Sequence, residues 1–405
     1  MQPTTPAIVV LNGGSSSIRF CIFHETPGLR RGLHGKLDRI GLDAPTLHYF
    51  DDGDGVPQAL RFPEATDLSR AAVVLLQWLE QRGAFDHVTA VGHRVVHGMS
   101  HSQPEIVTDE LLSALRGWQS VDPDHLPAEI ALIDTLQKRF PDWLHVACFD
   151  TAFHHDMPRV AQMMALPRRF EQAGLRRYGF HGLSYAYLME ELERVAGKAV
   201  ASGRVILAHF GNGASMAAVH EGRCVDTTMG FTPASGLPMG TRSGDLDPGM
   251  AAYLYRTNGL TLEQFDAMVN RESGLLGVSE TSSDMQELLE RENTDVRAAE
   301  AIALFCYQAR KGIGAYAAAL GGIDTLVFAG GIGENAAVVR ERVCSHLEFL
   351  GIEIDAERNA SHAGVISRTT GRVCVRVIRT DEESMIARAV SRVLGHAKPS
   401  AEIAS

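Results

Sequence analysis

The chain has 405 residues, too many for one ordinary hydrophobic core, and this length predicts two domains. Hydrophobic residues make up 45% and charged residues 21%, a composition typical of soluble globular proteins. The formal net charge of −11 argues against nucleic acid or an anionic membrane as a partner, although a local arginine cluster can still bind phosphate.

The cysteines and the N-terminal segment predict a compartment. The six cysteines are scattered, with no C-x-x-C pair, and therefore predict neither a zinc site nor a disulfide framework. The first residues lack a basic region followed by an apolar signal core, and no apolar run has the length of a membrane span. We therefore expect a cytoplasmic protein that does not cross a membrane.

The first predicted element is a strand, a glycine turn and a second strand. An apolar β-branched run leads into Asn12-Gly13-Gly14-Ser15-Ser16-Ser17, and another apolar run follows. Glycines let the backbone approach a ligand and expose its N–H groups, for which an anion is the natural guest. A single segment of this kind is more often an ordinary turn.

The next elements alternate between helix and strand, which favours an α/β fold. Residues 67–83 have the pattern of a capped amphipathic helix, and residues 88–91 and 145–149 have that of short buried strands. These strands are predicted to end at polar residues that include Arg94 and Asp150. Because ligands of open α/β sheets bind at the carboxyl ends of strands, both residues are candidates for a site. The alternative is a purely structural salt bridge between them.

Two further glycine segments follow apolar runs in the second half. Residues 205–210 lead into Gly211-Asn212-Gly213, and residues 325–328 lead into a turn and helix start at 329–335. A last strand at 373–378 precedes the acidic start of a final helix, and the tail after Gly395 is expected to fray. Three glycine segments in one chain predict a duplicated architecture that holds the phosphates of a nucleotide between two lobes.

His181 and Arg242 lie among small turn residues of the second half. An arginine in such a turn needs an anionic partner, which is either a ligand or Asp245. His181 lies beside glycines and can donate to a ligand, although a lone histidine is more often structural. Asp150 is open to three roles: base, positioning group or arginine partner. The sequence contains no Walker P-loop, no G-x-G-x-x-G fingerprint, no H-E-x-x-H and no G-x-S-x-G.

At these residues the chain resembles the acetate kinase family, which belongs to the acetate and sugar kinase, heat-shock ATPase and actin superfamily. The matching segments run nearly from end to end. They are residues 12–17, 92–98, 149–154, 177–182, 209–215, 226–233, 239–248, 273–279, 331–335 and 381–383.

The resemblance implies an α/β fold of two ribonuclease H-like lobes, with an ATP cleft between them. The N-terminal lobe is expected at 1–151, with the C-terminal helix 381–405 returning to it, and the nucleotide-binding lobe at 152–380. The implied reaction is the direct, in-line and reversible transfer of the γ-phosphoryl group of ATP to acetate, which gives acetyl phosphate and ADP with magnesium. The resemblance also implies a homodimer.

Matching positions imply roles for individual residues. The catalytic residues are expected to be Asp150, Arg94, Arg242 and His181. The substrate-binding residues are expected to be Arg94, Val96, Phe180, Pro233 and Asp124, and the magnesium ligands Asn12 and Glu382. The nucleotide-binding matches are Arg19, His209, Phe210, Gly211, Asn212, Gly213, Asp284, Met285, Gln286, Gly331, Ile332, Gly333, Glu334 and Asn335. Because a carboxylate is already a nucleophile, Asp150 can orient an arginine instead of taking a proton.

Several positions depart from the family pattern. Asp124 stands where the family has leucine beside the substrate methyl group, and Leu126 replaces the asparagine that follows His125. Tyr185 replaces a histidine. Met285-Gln286 replaces an aromatic–arginine pair near the nucleotide, and Arg19 replaces a lysine that faces ATP.

These departures leave alternatives open. A kinase of propionate or of a polar short acid is the nearest one. A nucleotide-binding regulatory protein without catalysis is another, although the retention of all four catalytic residues speaks against it. A glycosidase-like hydrolase has no supporting pattern. We expect Asp124 to turn outward, because a buried unpaired carboxylate is costly and Asp122-Pro123 predicts a surface turn.

Overall fold

The structure is a computed structural model that describes residues 5–14, 17–26, 28–41, 44–51 and 55–397. Ser15 and Ser16 of the first glycine turn, and the tail after residue 397, lie outside the described residues. The chain divides into two compact units. One comprises Met1–Ala152 with Asp381–Ser405, and the other comprises Phe153–Thr380.

The first unit is built on a mixed sheet. Its strands are β1 (Ala7–Gly13), β2 (Ile18–His24), β3 (Arg30–Asp38), β4 (Thr46–Phe50), β5 (Gln58–Arg61), β6 (Val88–Val95), β7 (Glu105–Ile106) and β8 (Leu144–Phe149). Its helices are α1 (Leu68–Gln81), α2 (Asp109–Gly117) and α3 (Leu126–Arg139). The strand order is β5-β4-β3-β2-β1-β6-β8-β7. The helix predicted at 67–83 is confirmed as α1, which Asp67 caps by accepting from the Arg70 N–H.

Strand β6 is longer than the sequence predicts. The expected end at residue 91 is wrong, because β6 continues to Val95 and carries Arg94 within the sheet. A histidine at position 93 suggests a solvent-exposed strand end, but His93 is buried and its Nε2 lies 3.1 Å from Nδ1 of His145 on β8. Burial, with a smaller effect of His145, lowers the pKa of His93 to about 3. A neutral histidine of this kind is compatible with a central strand.

The second unit holds the other mixed sheet. Its strands are β9 (Val205–Phe210), β10 (Ala214–His220), β11 (Arg223–Thr227), β12 (Thr325–Ala329) and β13 (Cys374–Val377), in the order β11-β10-β9-β12-β13. Its helices are α4 (Arg159–Gln162), α5 (Arg168–Gln172), α6 (Gly182–Ala196), α7 (Lys198–Ala201), α8 (Gly249–Asn258), α9 (Leu262–Arg271), α10 (Gly274–Ser279), α11 (Met285–Arg291), α12 (Val296–Leu320), α13 (Gly330–Asn335), α14 (Ala337–Cys344) and α15 (Ala356–Ala360).

Both sheets contain the same five-strand arrangement. The order is β3-β2-β1-β6-β8 in one unit and β11-β10-β9-β12-β13 in the other. In each, the first three strands are antiparallel to their neighbours, and the last two run parallel to the central strand, which is β1 or β9. The predicted α/β class with duplicated mixed sheets is therefore confirmed. In both units the first glycine turn joins the first two strands, and the edge formed by the parallel strand ends carries polar residues.

A final helix, α16 (Glu382–Ala397), packs on the sheet of the first unit. It meets β6 at Gly92, where a Cβ atom would collide with Ile386 Cγ2 and would lie 2.8 Å from Val390 Cγ2. A side chain at position 92 would therefore push away the helix whose first turn carries Glu382. Among the described residues, no helix combines the length and apolar character needed to cross a bilayer.

We predict that Gly92→Ala lowers the free energy of unfolding by about 1–3 kcal/mol, as expected when a methyl group is forced into a packed interface. Chemical denaturation measures the loss. Gly117→Ala is the matched control, because a Cβ atom at Gly117 meets nothing within 4 Å. Equal stabilities of the two variants would show that α16 can shift away from β6 without cost.

Candidate active site

An arginine–carboxylate pair lies at the edge formed by the ends of β6 and β8. Arg94 Nη2 donates to Asp150 Oδ2 at 2.6 Å, and Asp150 N donates to the carbonyl of Val95. The Asp150 side chain is fully buried and that of Arg94 is 14% exposed. The salt bridge considered from the sequence is thus present. Because the charge of Arg94 compensates a buried carboxylate, Arg94 also contributes to the stability of the first unit.

Asn12 and Glu382 join this pair. Asn12 lies one residue before the end of β1 and donates from Nδ2 to Glu382 Oε2 at 3.1 Å, while Arg94 Nη1 lies 3.4 Å from Asn12 Oδ1. Burial opposes the charge of Arg94, yet the carboxylates of Asp150 and Glu382 outweigh this effect and raise the Arg94 pKa above its ordinary value. Four residues predicted from widely separated segments therefore meet at one point of the first unit.

This cluster offers oxygen donors of the kind that magnesium prefers. Mg²⁺ is usually bound by one or two protein carboxylates, with waters and substrate phosphates in the remaining positions. The Glu382 carboxylate and the Asn12 amide oxygen fit that pattern. Within the described residues no group of three or more His, Cys, Asp or Glu side chains forms a complete metal cage.

Arg19 and Glu383 lie next to this cluster. Arg19 pairs with Asn12 across the β1–β2 hairpin, and its Nη1 lies 3.9 Å from Glu383 Oε1. The Arg19 side chain is 53% exposed, so its cationic head remains available to an anion. Burial, reinforced by Glu382, raises the pKa of Glu383.

Glu129 supports the segment after β6. Its Oε2 accepts from the backbone N–H of Val96 at 3.0 Å, while its buried Oε1 has no hydrogen-bond partner among the described residues. Burial, with a smaller effect of Asp122, raises the pKa of Glu129 to about 7. Glu129 is not among the residues predicted from the sequence. Its position on the apolar face of α3, beside Leu126 and Ile130, is the pattern that would have revealed it.

The turn predicted at Asp122-Pro123 is present, and Asp124 is half-buried within it. Asp124, His125, Glu129 and Gly13 are among the residues that line one cavity of the first unit. The outward orientation expected of the Asp124 side chain stays a prediction. His125 is held in turn by Asp122, whose Oδ1 lies 2.8 Å from His125 Nδ1.

A histidine and an arginine lie together within the second unit. His181 precedes α6 in a left-handed backbone conformation, with φ of 60°, and its Nδ1 lies 2.8 Å from Ser215 Oγ. A Cβ atom built on Gly213 would lie 3.2 Å from His181 Nε2 and 3.6 Å from Arg242 Nη1. The imidazole and the guanidinium therefore face the same point above the Gly211–Gly213 turn.

Two of the predicted acyl neighbours also belong to this unit. Pro233 accepts from Arg242 Nη1 through its carbonyl at 3.3 Å, and Phe180 is buried directly before His181. His209 stacks on His181 with ring centroids 4.3 Å apart, so the β9 strand end and the start of α6 are joined at this site.

The glycine segment after β12 is held rigidly. Gly330 has φ of +77°, and a Cβ atom there would lie 2.6 Å from the carbonyl oxygen of Phe210, so only glycine fits. Glu334 accepts from the N–H groups of Gly330 and Thr380, which gives this carboxylate a structural role. The buried Arg340 donates to the carbonyls of Gly333 and Glu334 at 2.9 Å.

Other nucleotide-binding matches have local partners. Asp284 caps α11 by accepting from two backbone N–H groups, and Met285 is buried. Gln286 is exposed and its amide lies 3.3 Å from Glu290 Oε1.

The Phe210 side chain packs in the core against Phe305 and Phe328, so only its backbone can face a ligand. Gly331 and Ile332 lie in α13, and Asn335 Nδ2 donates to the Gly331 carbonyl.

Glycine turns after parallel strands, together with an arginine–carboxylate cluster, are features of kinases, which transfer phosphoryl groups. A family model described as the Acetokinase family matches residues 7–388. The acetate kinase of Rhodopseudomonas palustris strain TIE-1 is 44% identical over 392 residues, covering 95% of this chain and 98% of the relative. The acetate kinase of Deinococcus radiodurans is 43% identical, covering 96% and 98%. The chain belongs to the Acetokinase family.

Solved structures support the same fold. Porphyromonas gingivalis acetate kinase is 36% identical with a TM-score of 0.85, covering 96% of this chain and 100% of that one. A propionate kinase from Francisella tularensis is 34% identical with a TM-score of 0.88, covering 95% and 98%. The family resemblance inferred from the sequence motifs is confirmed.

We predict that Arg94→Ala lowers the free energy of unfolding by about 3 kcal/mol, because it removes one member of a buried ion pair. Arg242→Ala, which loses a hydrogen bond to a carbonyl, should cost about 1 kcal/mol. Urea denaturation of both variants compares the two losses. If they were equal, Asp150 would not depend on Arg94 for its charge compensation.

We predict that Glu129→Gln changes the pH dependence of stability. Because burial raises the Glu129 pKa to about 7, the folded protein binds this proton more tightly than the unfolded chain does. The contribution of Glu129 to stability is therefore full below about pH 4.5 and is lost as the pH rises towards 7. Glutamine keeps an acceptor for the Val96 N–H but does not ionise.

The stability of Glu129→Gln relative to the unchanged protein should therefore be a few kcal/mol more favourable at pH 8 than at pH 5. Glu64→Gln is the control, because Glu64 is exposed in the same unit. A pH-independent difference for Glu129→Gln would mean that Glu129 is not protonated in the folded protein near neutral pH.

Proposed function

We propose that the protein is an acetate kinase, which transfers the γ-phosphoryl group of ATP to acetate and produces acetyl phosphate and ADP. The observation that carries the proposal is the cluster of Asn12, Arg94, Asp150 and Glu382 in a chain that matches curated acetate kinases over almost their whole length. The family resemblance also supports a homodimer in the cytoplasm. Light scattering would measure the mass of the assembly.

The proposed mechanism is positioning combined with charge stabilisation. A phosphoryl transition state spreads negative charge over three equatorial oxygens, and guanidinium groups supply charged donors in a fixed geometry. Arg94 and Arg242 fill this role. Because an acetate oxygen is already a nucleophile, no strong base is needed, and Asp150 acts by orienting Arg94 through the 2.6 Å hydrogen bond.

Asn12 and Glu382 are the residues that would hold magnesium. When bound, the ion neutralises charge on the nucleotide phosphates and fixes their orientation. The Gly211–Gly213 turn and the start of α13 at Gly330–Gly333 are the segments where the backbone would approach the nucleotide. Asn212 lies within the first of these segments, and His209 lies in β9, which leads into it. Arg19 provides a further exposed positive charge in the first unit.

A second candidate is a kinase of a related carboxylate. Asp124 stands where the family pattern has leucine beside the substrate methyl group, and one structural relative is a propionate kinase. A carboxylate in an acyl pocket weakens the binding of a bare methyl group and favours an acid with a hydroxyl or amino substituent.

The test is a hydroxamate assay for acyl phosphate with ATP and magnesium across acetate, propionate, glycolate and glycine. We expect acetate to be the best substrate. Turnover of another acid with a higher kcat/KM would establish the second candidate. ATP binding without acyl phosphate from any of these acids would instead support a nucleotide-binding protein without kinase activity.

We predict that Arg242→Ala lowers kcat by roughly a hundredfold or more, because it removes a charged donor from the transition state. Steady-state kinetics with acetate measures the effect. Arg256→Ala is the control, since Arg256 is exposed on α8. Near-full turnover of Arg242→Ala would remove this arginine from the mechanism.

We predict that Asp124→Leu lowers the KM for acetate with little change in kcat, because the substrate and the transition state gain the same apolar contact. Asp124→Asn keeps the shape but removes the charge, and so separates the two effects. An unchanged acetate KM in Asp124→Leu, without activity towards any polar acid, would exclude Asp124 from the acyl site.

A further inference from the structure

Behind His181 lies a buried chain of hydroxyl groups. Ser215 Oγ is 2.8 Å from His181 Nδ1, and it also forms a short hydrogen bond with the hydroxyl of Tyr185. Tyr185 lies one helical turn after His181, at the start of α6, and Ser215 lies on β10. Tyr185 and Ser215 are both fully buried, so bulk water does not compete for these hydrogen bonds.

The relative donor strength of the two hydroxyl groups determines which of them donates in each hydrogen bond. A phenol, with a pKa near 10, is a stronger donor than an aliphatic hydroxyl, which is the better acceptor of the two. Tyr185 therefore donates to Ser215 Oγ, and the single proton of Ser215 is left to donate to His181 Nδ1. A neutral imidazole that accepts at Nδ1 carries its proton at Nε2.

The Nε2 atom is the one that faces the Gly213 turn. It points to the same position as Arg242 Nη1. On the other side, His209 stacks on His181, and Ser184 Oγ holds His209 by lying 2.8 Å from its Nδ1. The ring plane of His181 is therefore fixed from two directions.

We propose that Tyr185 and Ser215 are positioning residues that fix the tautomer of His181, so that Nε2–H is a permanent donor towards the transferring phosphoryl group. The effect on catalysis rests on the proposed function, whereas the assignment of the tautomer is independent of it. Tyr185 stands where the family pattern has a histidine, so in this chain the group that contacts Ser215 is a phenol hydroxyl.

The direct test is the protonation state of His181 by ¹⁵N NMR in the full-length protein labelled at its 17 histidines. The His181 resonances are assigned by their loss in His181→Asn. We expect an unprotonated Nδ1 and a protonated Nε2 in the unchanged protein. A proton on Nδ1 would overturn the proposal without reference to activity.

Removing the phenol hydroxyl tests its role. In Tyr185→Phe the ring keeps its packing against Phe153 and His154, so the variant is expected to fold. Ser215 is then free to turn its proton away and accept from Nδ1–H. We expect the Nε2–H tautomer to lose population and kcat to fall about tenfold with little change in KM, as when an outer-shell partner of a functional histidine is lost.

Tyr187→Phe is the matched control, because it removes a hydroxyl from a half-buried tyrosine of the same helix. It should leave both the tautomer and kcat unchanged. If Tyr185→Phe does not fold, Ser215→Ala decides the matter, since it removes the group in contact with Nδ1. An unchanged His181 spectrum and kcat in the folded variant would refute the positioning role.

The two proposals fail in different ways. If the unchanged protein forms no acyl phosphate while His181 shows the Nε2–H form, the proposed function fails and the tautomer assignment stands. If acyl phosphate forms but His181 carries its proton on Nδ1, the proposed function stands and the positioning role is refuted.

Discussion

The buried ion pair of Arg94 and Asp150 is the interaction on which the arrangement of the first unit depends. A carboxylate with no exposure is tolerated only when it is paired, and Arg94 supplies both the charge and a 2.6 Å hydrogen bond. The same guanidinium contacts Asn12, which in turn contacts Glu382 on α16. One pair thus connects β1, β6, β8 and the final helix at a single edge of the sheet.

Sheet topology explains why distant segments meet there. Strands β1, β6 and β8 are parallel neighbours, so their carboxyl ends converge, and Gly92 lets α16 approach closely enough to bring Glu382 to the same place. The second unit repeats the strand order but uses its edge differently. There, glycine segments follow β9 and β12, and the buried Arg340 holds the backbone of the second segment by donating to the carbonyls of Gly333 and Glu334.

Much of this could be predicted from the sequence. The glycine turns, the α/β class and the capped helix α1 follow from local patterns, and the motifs led to the family. The end of β6 could not be predicted, because His93 looks polar until it is seen paired with His145 across the sheet. The role of Glu129 was missed for a similar reason, since it depends on how α3 packs beside the segment after β6. The link between Tyr185 and Ser215 joins residues thirty positions apart, a contact that no local pattern reports.

The most direct test of the account is a double-variant comparison of Arg94 and Asp150 that measures both unfolding and acyl phosphate formation. Arg94→Met and Asp150→Leu should each be destabilised by about 3 kcal/mol, because each removes one member of the buried ion pair. The double variant should regain most of that stability, since both charges are gone, yet it should form no acyl phosphate. Strictly additive losses of stability, or turnover by the double variant, would contradict the view that this pair is maintained for catalysis and that each member depends on the other.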